Sequence, residues 1–160
     1  MNTSMAAPEL KRSFRTQPTQ AASLKGVVPI DLATYREQAR GNLTVVESKK
    51  DIPFSIARIF YLYGAPIDSE RGAHAHREAE QVFIAVSGSC SLELSDGQRT
   101  DRYAMREPDR AVYVPPMIWA RLYDFSKDAV CLVLCSSLYD PAEYIRDWNE
   151  YVSAVARLSP

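Results

Sequence analysis

Between Pro53 and Cys135 the chain repeats one pattern: a short run of β-branched, aliphatic and aromatic residues, then a cluster of turn residues. The runs are Ile56 to Tyr63, Gln81 to Val86, Cys90 to Leu94, Ala111 to Val114, Ile118 to Tyr123 and Ala129 to Cys135. They are separated by the polar loop Gly64 to Gly72, by Ser87-Gly88-Ser89, by the hairpin signal Asp96-Gly97, by Pro115-Pro116 and by the polar turn Asp124 to Asp128. Many short strands with turns every ~8–12 residues predict an all-β sandwich or barrel.

The flanks read differently. Residues 1–25 are rich in Ser, Thr, Ala and Gln with no sustained period, and are expected to be a disordered tail. Residues 26–160 then form one domain, the natural count for 160 residues. Leu32 to Ala39 reads as a short helical turn, Arg40-Gly41-Asn42 as a turn, and Leu43 to Glu47 as a strand. At the other end, Asp140-Pro141-Ala142-Glu143 has the cap, the first-turn proline and the acidic residue of a helix start. Tyr144, Ile145, Trp148, Tyr151, Val152 and Val155 follow at near-helical spacing, so a C-terminal helix is expected against the barrel.

Charge argues against several functions. Nineteen basic and 20 acidic residues give a net charge of −1, without the clustered basic excess that a nucleic-acid surface needs. No apolar run approaches the roughly 18 residues of a membrane span, and no apolar stretch marks a secretory signal. Three cysteines without close pairing do not suggest a disulfide framework, and a reducing cytoplasm is expected.

The chemistry concentrates at Glu70 to Gln81, which holds the only two histidines, His74 and His76. On a strand, residues two apart project from one face, roughly 6.6 Å apart along the chain. Two imidazoles so placed can take and give protons near neutral pH. His74, His76 and Glu80 also resemble the first half of a cupin metal motif, but no histidine remains to complete it. Tyr61 and Tyr63 share one face of their strand, and Arg71 precedes the histidines with a side chain suited to phosphate. Trp119, Arg121 and Tyr123 have the opposite parity from Ile118 and Ala120, and are expected either to face a ligand cavity or, for the ring of Trp119, to fill core. Cys131 and Cys135 lie in an apolar strand and read as buried and inert.

The ordered set of motifs resembles one family. R-G-A-H-A-H-R-E-A-E-Q-V is followed by S-G-S-C, D-G, Y-V-P-P-M-I-W, D-F-S, C-L-V-L and L-Y-D-P-A-E-Y-I-R-D-W, with R-G-N-L-T-V-V-E and I-P-F-S-I-A-R-I-F-Y-L-Y upstream. Over residues 27 to 151 this is similar to the sugar 3,4-ketoisomerases of the FdtA and QdtA type, the WxcM-like cupins. The resemblance implies a cupin barrel that moves the keto group of a dTDP-linked 4-keto-6-deoxyhexose from C4 to C3, with no metal and no cofactor. It implies His74 and His76 as the catalytic pair and Arg71, with Tyr63 or else Tyr61, as substrate-binding residues. It also implies a homodimer with exchanged N-terminal strands. Many family members carry W-H-E-M where this chain reads Trp119-Ala120-Arg121-Leu122. That departure removes a further metal ligand and alters the surroundings of the sugar.

The expected mechanism is proton transfer through an enediol. The neighbouring carbonyl acidifies the C3 hydrogen, one neutral imidazole abstracts it, and the other histidine steadies the oxyanion or returns a proton to C4. The rival readings are a metal-dependent small cupin built on His74, His76 and Glu80, a non-catalytic nucleotide-sugar binder, and a 3,5-epimerase, whose usual motifs are not evident.

Overall fold

The computed structural model describes residues 24–158 and consists of twelve strands, one 3₁₀ turn and one helix. Residues 1–23, which hold most of the expected tail, lie outside the described residues. Leu24 already belongs to the packed body: it is buried, and its backbone N–H donates to Asp101 at 2.9 Å.

Two five-stranded antiparallel sheets face each other. The first runs in the order β1 (Val28–Asp31), β9 (Arg110–Val114), β6 (Gln81–Ser87), β11 (Val130–Cys135), β4 (Arg58–Tyr63). The second runs β12 (Tyr144–Ile145), β5 (Arg71–His76), β10 (Trp119–Tyr123), β7 (Cys90–Ser95), β8 (Thr100–Met105). Their inner faces interdigitate as one core, with Phe83, Ala85, Val112, Cys131 and Val133 from the first sheet against Leu92, Leu94, Met105, Ala120 and Leu122 from the second. This is the all-β sandwich or barrel architecture that the strand pattern predicts, arranged as the resemblance to the cupins implies.

The continuous apolar runs of β6 and β11 have a physical cause: these two central strands of the first sheet are covered on both faces. Val82, Ile84, Ala111 and Leu134 on its outer face pack against Leu32, Ile52 and Phe54 of the incoming chain. The second sheet alternates instead, and its outer face is covered near β5 by the C-terminal helix α1 (Trp148–Leu158). Tyr151 locks that helix down: its hydroxyl donates to the Ser95 carbonyl at 2.6 Å and accepts from the Trp119 N–H at 3.3 Å.

Two local expectations change. Leu32 to Ala39 is not a helical turn: β2 (Ala33–Glu37) pairs with β3 (Gly41–Val45) as a separate hairpin, with Thr34 and Thr44 hydroxyls 2.9 Å apart. Cross-strand pairing outweighed the local helical signal. The C-terminal helix starts at Trp148 rather than Asp140. Asp140 does cap, accepting from the Ala142 N–H at 2.9 Å, but only over the 3₁₀ turn Pro141–Glu143. The Glu143 carboxylate is drawn away from the turn, accepting from the Glu78 and Ala79 N–H groups at 3.0 Å each. That frees Tyr144 and Ile145 to join the sheet beside β5.

Candidate active site

The histidines reach the barrel interior through a bulge. Ala120 pairs with His74 and Arg121 with Gly72, so Ala73 has no partner in the β5–β10 ladder. Gly72 has φ +83° and Ala73 φ +54°, both left-handed. A Cβ on Gly72 would stand 2.8 Å from the Ala120 carbonyl oxygen, so glycine is required there on two counts. Beyond the bulge the alternation is regular: Ala75 is fully buried on the outer face under Ile145 and Tyr151, which leaves His74 and His76 together on the inner face. The strand end is held by the Met117 N–H, which donates to the His76 carbonyl at 2.8 Å, and by the Arg77 N–H, which donates to the Glu143 carbonyl at 2.9 Å.

The imidazoles stand edge to face, with centroids 5.1 Å apart. Tyr144, directly opposite His76 in the β5–β12 ladder, closes the group: its ring lies 4.4 Å from His76 and 4.8 Å from His74. The guanidinium of Arg146 sits over the Tyr144 ring at 4.3 Å. From the opposite sheet Arg58 donates to the Tyr144 hydroxyl at 3.5 Å and to Cys135 Sγ at 3.6 Å, and Gln81 also donates to that sulfur at 3.6 Å.

Both histidines are kept neutral. Burial lowers His74 below the ordinary imidazole value and the Arg146 charge adds to this, against a hydrogen bond to the Gly72 backbone. Burial, then the charges of His74, Arg58 and Arg146, push His76 down to about 4. Both ring nitrogens of His76 are buried without a hydrogen-bond partner among the described residues. A buried imidazole left unsatisfied is a cost that a substrate making those bonds would relieve.

The remaining expected residues divide. Arg71 begins β5, exposed and without an ion-pair partner among the described residues. Tyr61 and Tyr63 lie on the outer face of β4, 59% and 71% exposed, because Phe60 and Leu62 take the inward parity and pack in the core. Trp119 and Arg121 also face outward, since Ala120 and Leu122 occupy the core. Trp119 meets Trp148 edge to face, with centroids 5.1 Å apart, under the helix, and Arg121 pairs with Glu70 at 2.8 Å and Glu93 at 2.7 Å. Glu80 is engaged elsewhere: it accepts from the Tyr113 hydroxyl at 2.6 Å, and no group of three metal-ligating side chains forms among the described residues. Arg58, Tyr144 and Arg146 were not singled out from the sequence as site residues. The parity that Arg58 shares with Phe60 and Leu62 was the available signal for the first, and the Y-I-R string for the other two.

Residues 25–156 match the family model described as FdtA, WxcM-like, C-terminal. The chain is 37% identical over 121 residues to the TDP-4-oxo-6-deoxy-alpha-D-glucose-3,4-oxoisomerase of Aneurinibacillus thermoaerophilus, covering 76% of this chain and 87% of that one. Among solved structures it superposes with a TM-score of 0.82 on a histidine-to-asparagine variant of the 3,4-ketoisomerase QdtA from Thermoanaerobacterium thermosaccharolyticum, in complex with TDP-4-keto-6-deoxyglucose. That match is 31% identical and covers 84% of this chain and 97% of the other. The WlaRB TDP-quinovose 3,4-ketoisomerase of Campylobacter jejuni gives a TM-score of 0.78 at 37% identity, over 81% and 99% of the two chains. The chain belongs to the FdtA, or WxcM-like, family of sugar 3,4-ketoisomerases.

Proposed function

We propose that this protein isomerises a dTDP-linked 4-keto-6-deoxyhexose to its 3-keto isomer, with His74 and His76 as the proton-transfer pair. One observation carries the assignment of the pair: two inward-facing imidazoles in contact, held neutral, with the His76 nitrogens unpartnered. A neutral imidazole beside the bound sugar accepts the C3 proton, and its partner donates to the sugar oxygens or to C4. The reaction needs no external oxidant or reductant, because the ketone gained at C3 is the one lost at C4. Arg71, exposed at the start of β5 and without an ion-pair partner among the described residues, is suited to the diphosphate, whose binding energy positions the sugar over the histidines.

The described residues include no helix long and apolar enough to cross a membrane. The three cysteines are free and buried, which suits a cytoplasmic enzyme. The homodimer with exchanged N-terminal strands remains part of the reading. It is supported by the β2–β3 hairpin, which pairs with neither large sheet and exposes Leu43, and by the exposed apolar outer face of β4 at Ile59, Tyr61 and Tyr63.

The test is proton NMR of purified, metal-stripped protein with dTDP-4-keto-6-deoxyglucose in D₂O. Conversion to a 3-keto sugar with deuterium incorporated is expected. A folded protein that leaves this sugar unchanged would overturn the assignment.

A further inference from the structure

One inward-facing guanidinium has no carboxylate to neutralise it among the described residues. Arg58, the first residue of β4, has the inward parity of Phe60 and Leu62. Its partners are neutral: Cys135 Sγ, the Tyr144 hydroxyl, and the rings of Phe60 and Tyr139, whose centroids lie 5.6 and 5.5 Å from the guanidinium carbon. Its Nε is buried and has no acceptor among the described residues. Arg121, by contrast, is matched by two carboxylates on the outer face. A partly buried cation with no carboxylate partner and a buried, unused N–H is a place for an anion.

Tyr144 says which anion. Its hydroxyl accepts from Arg58 Nη2, and its own proton has no acceptor among the described residues. The same ring touches both imidazoles. An atom within reach of the free donors on Arg58 and Tyr144 is therefore beside the atoms that the histidines reach.

We propose that Arg58 and the Tyr144 hydroxyl together bind the sugar oxygen that carries negative charge in the enediolate. The inference rests on the isomerase reading and adds catalytic residues to it. In the first half-reaction the C3–H bond breaks and its proton goes to an imidazole. The electron pair forms the C3–C4 double bond, and the carbonyl π pair moves onto O4. In the second half O3 gives up its hydroxyl proton as the C3 ketone forms, and one proton is added at C4 and one at O4, so the two protons that leave C3 and O3 are matched by the two gained at C4 and O4. O4 is the atom whose charge rises first, and preorganised donors in a water-poor site act most strongly there.

The experiment compares wild-type protein with Tyr144→Phe, Arg58→Gln and Arg58→Lys. It measures isomerisation of dTDP-4-keto-6-deoxyglucose, deuterium exchange at C3, affinity for dTDP by calorimetry, and thermal midpoint. Loss of one such donor is expected to lower kcat by about 10²-fold and to slow C3 exchange in parallel. Affinity for dTDP should stay within about 3-fold, because uniform binding is not what these donors supply. Arg58→Lys, which keeps the charge but not the fork, should fall between wild type and Arg58→Gln.

Removing the Arg58 charge also moves the acid limb of the pH profile upward by a small step, since that charge adds to burial and to the His74 charge in lowering His76. The other ionisable groups around His76 are His74 on its own strand, Tyr144 and Arg146 on and beside β12, Tyr139 before the 3₁₀ turn, and Cys135 on β11, and all remain in that variant. Wild-type C3 exchange in the folded variants overturns the proposal. So does a loss of dTDP affinity as large as the loss of kcat/KM, which would make Arg58 a diphosphate ligand. If Arg58→Gln does not fold, Tyr144→Phe and Arg58→Lys decide. No conversion by wild type removes this proposal and the isomerase reading together, whereas conversion by wild type with unimpaired variants removes this one alone.

Discussion

Tyr144 lies directly across the β5–β12 ladder from His76, and its ring centroid is 4.4 Å from the imidazole. The pairing exists because Glu143 is pulled toward the Glu78 and Ala79 N–H groups, which ends the 3₁₀ turn and turns the next two residues into a strand. A tyrosine far along the chain thereby becomes a wall of the site.

Replacing either histidine by asparagine keeps a polar planar group but removes proton transfer. His74→Asn and His76→Asn are each expected to lower turnover by about 10²- to 10⁴-fold. Circular dichroism should show an unchanged fold. Near wild-type conversion by both variants, followed by NMR, would remove the pair from the mechanism.

The pH dependence follows from the neutral imidazoles. Both histidines titrate below their ordinary value in the folded protein, His76 at about 4. The acid limb of kcat/KM is therefore expected below pH 6.5, the ordinary imidazole value. Stability has the same sign. Between about pH 6.5 and 4 the unfolded chain binds a proton that folded His76 does not, so stability falls as pH falls through this window, by on the order of 2–3 kcal/mol. Urea titrations at stepped pH values measure it. An acid limb above pH 7 would contradict the environment described for the pair.

Gly72→Ala adds a methyl group at φ +83°, 2.8 Å from the Ala120 carbonyl oxygen. The backbone cost alone is about 1–2 kcal/mol, and the bulge must shift to relieve the contact. Both the thermal midpoint and turnover should drop, because the bulge aims His74. A variant with wild-type activity would show that the aim tolerates such a shift.

Tyr151→Phe removes a buried hydroxyl that bonds the Ser95 carbonyl and the Trp119 N–H. About 1–2 kcal/mol of stability should be lost, with the effect felt at the α1 contact. Hydrogen exchange should report faster opening of Trp148–Leu158, while kcat changes little.

In solution a dimer is expected. Tyr63→Asp, placed on the exposed outer face of β4, should shift the mass measured by light scattering toward the monomer. A wild-type protein that is monomeric at micromolar concentration would remove the exchanged-strand dimer from the reading.

Much was legible in the sequence because β-structure writes its period into the chain. The turn residues separate the strands, and the doubly covered sheet appears as the unbroken apolar runs of β6 and β11. The H-x-H spacing likewise placed His74 and His76 on one face without any coordinates. What sequence spacing could not decide was which parity faces inward. In β4 the two tyrosines share a face, but Phe60 and Leu62 fill the core and turn Tyr61 and Tyr63 outward. In β10 the small Ala120 faces in beside His74, and the larger Trp119 goes under the helix. Arg58 lies 86 residues before Tyr144 in the chain, and its meeting with Tyr144 and Arg146 depends on which strands become neighbours. Local pattern sets which residues share a face. Only the packing of the two sheets, a property of contacts distant in sequence, decided which face encloses the histidines.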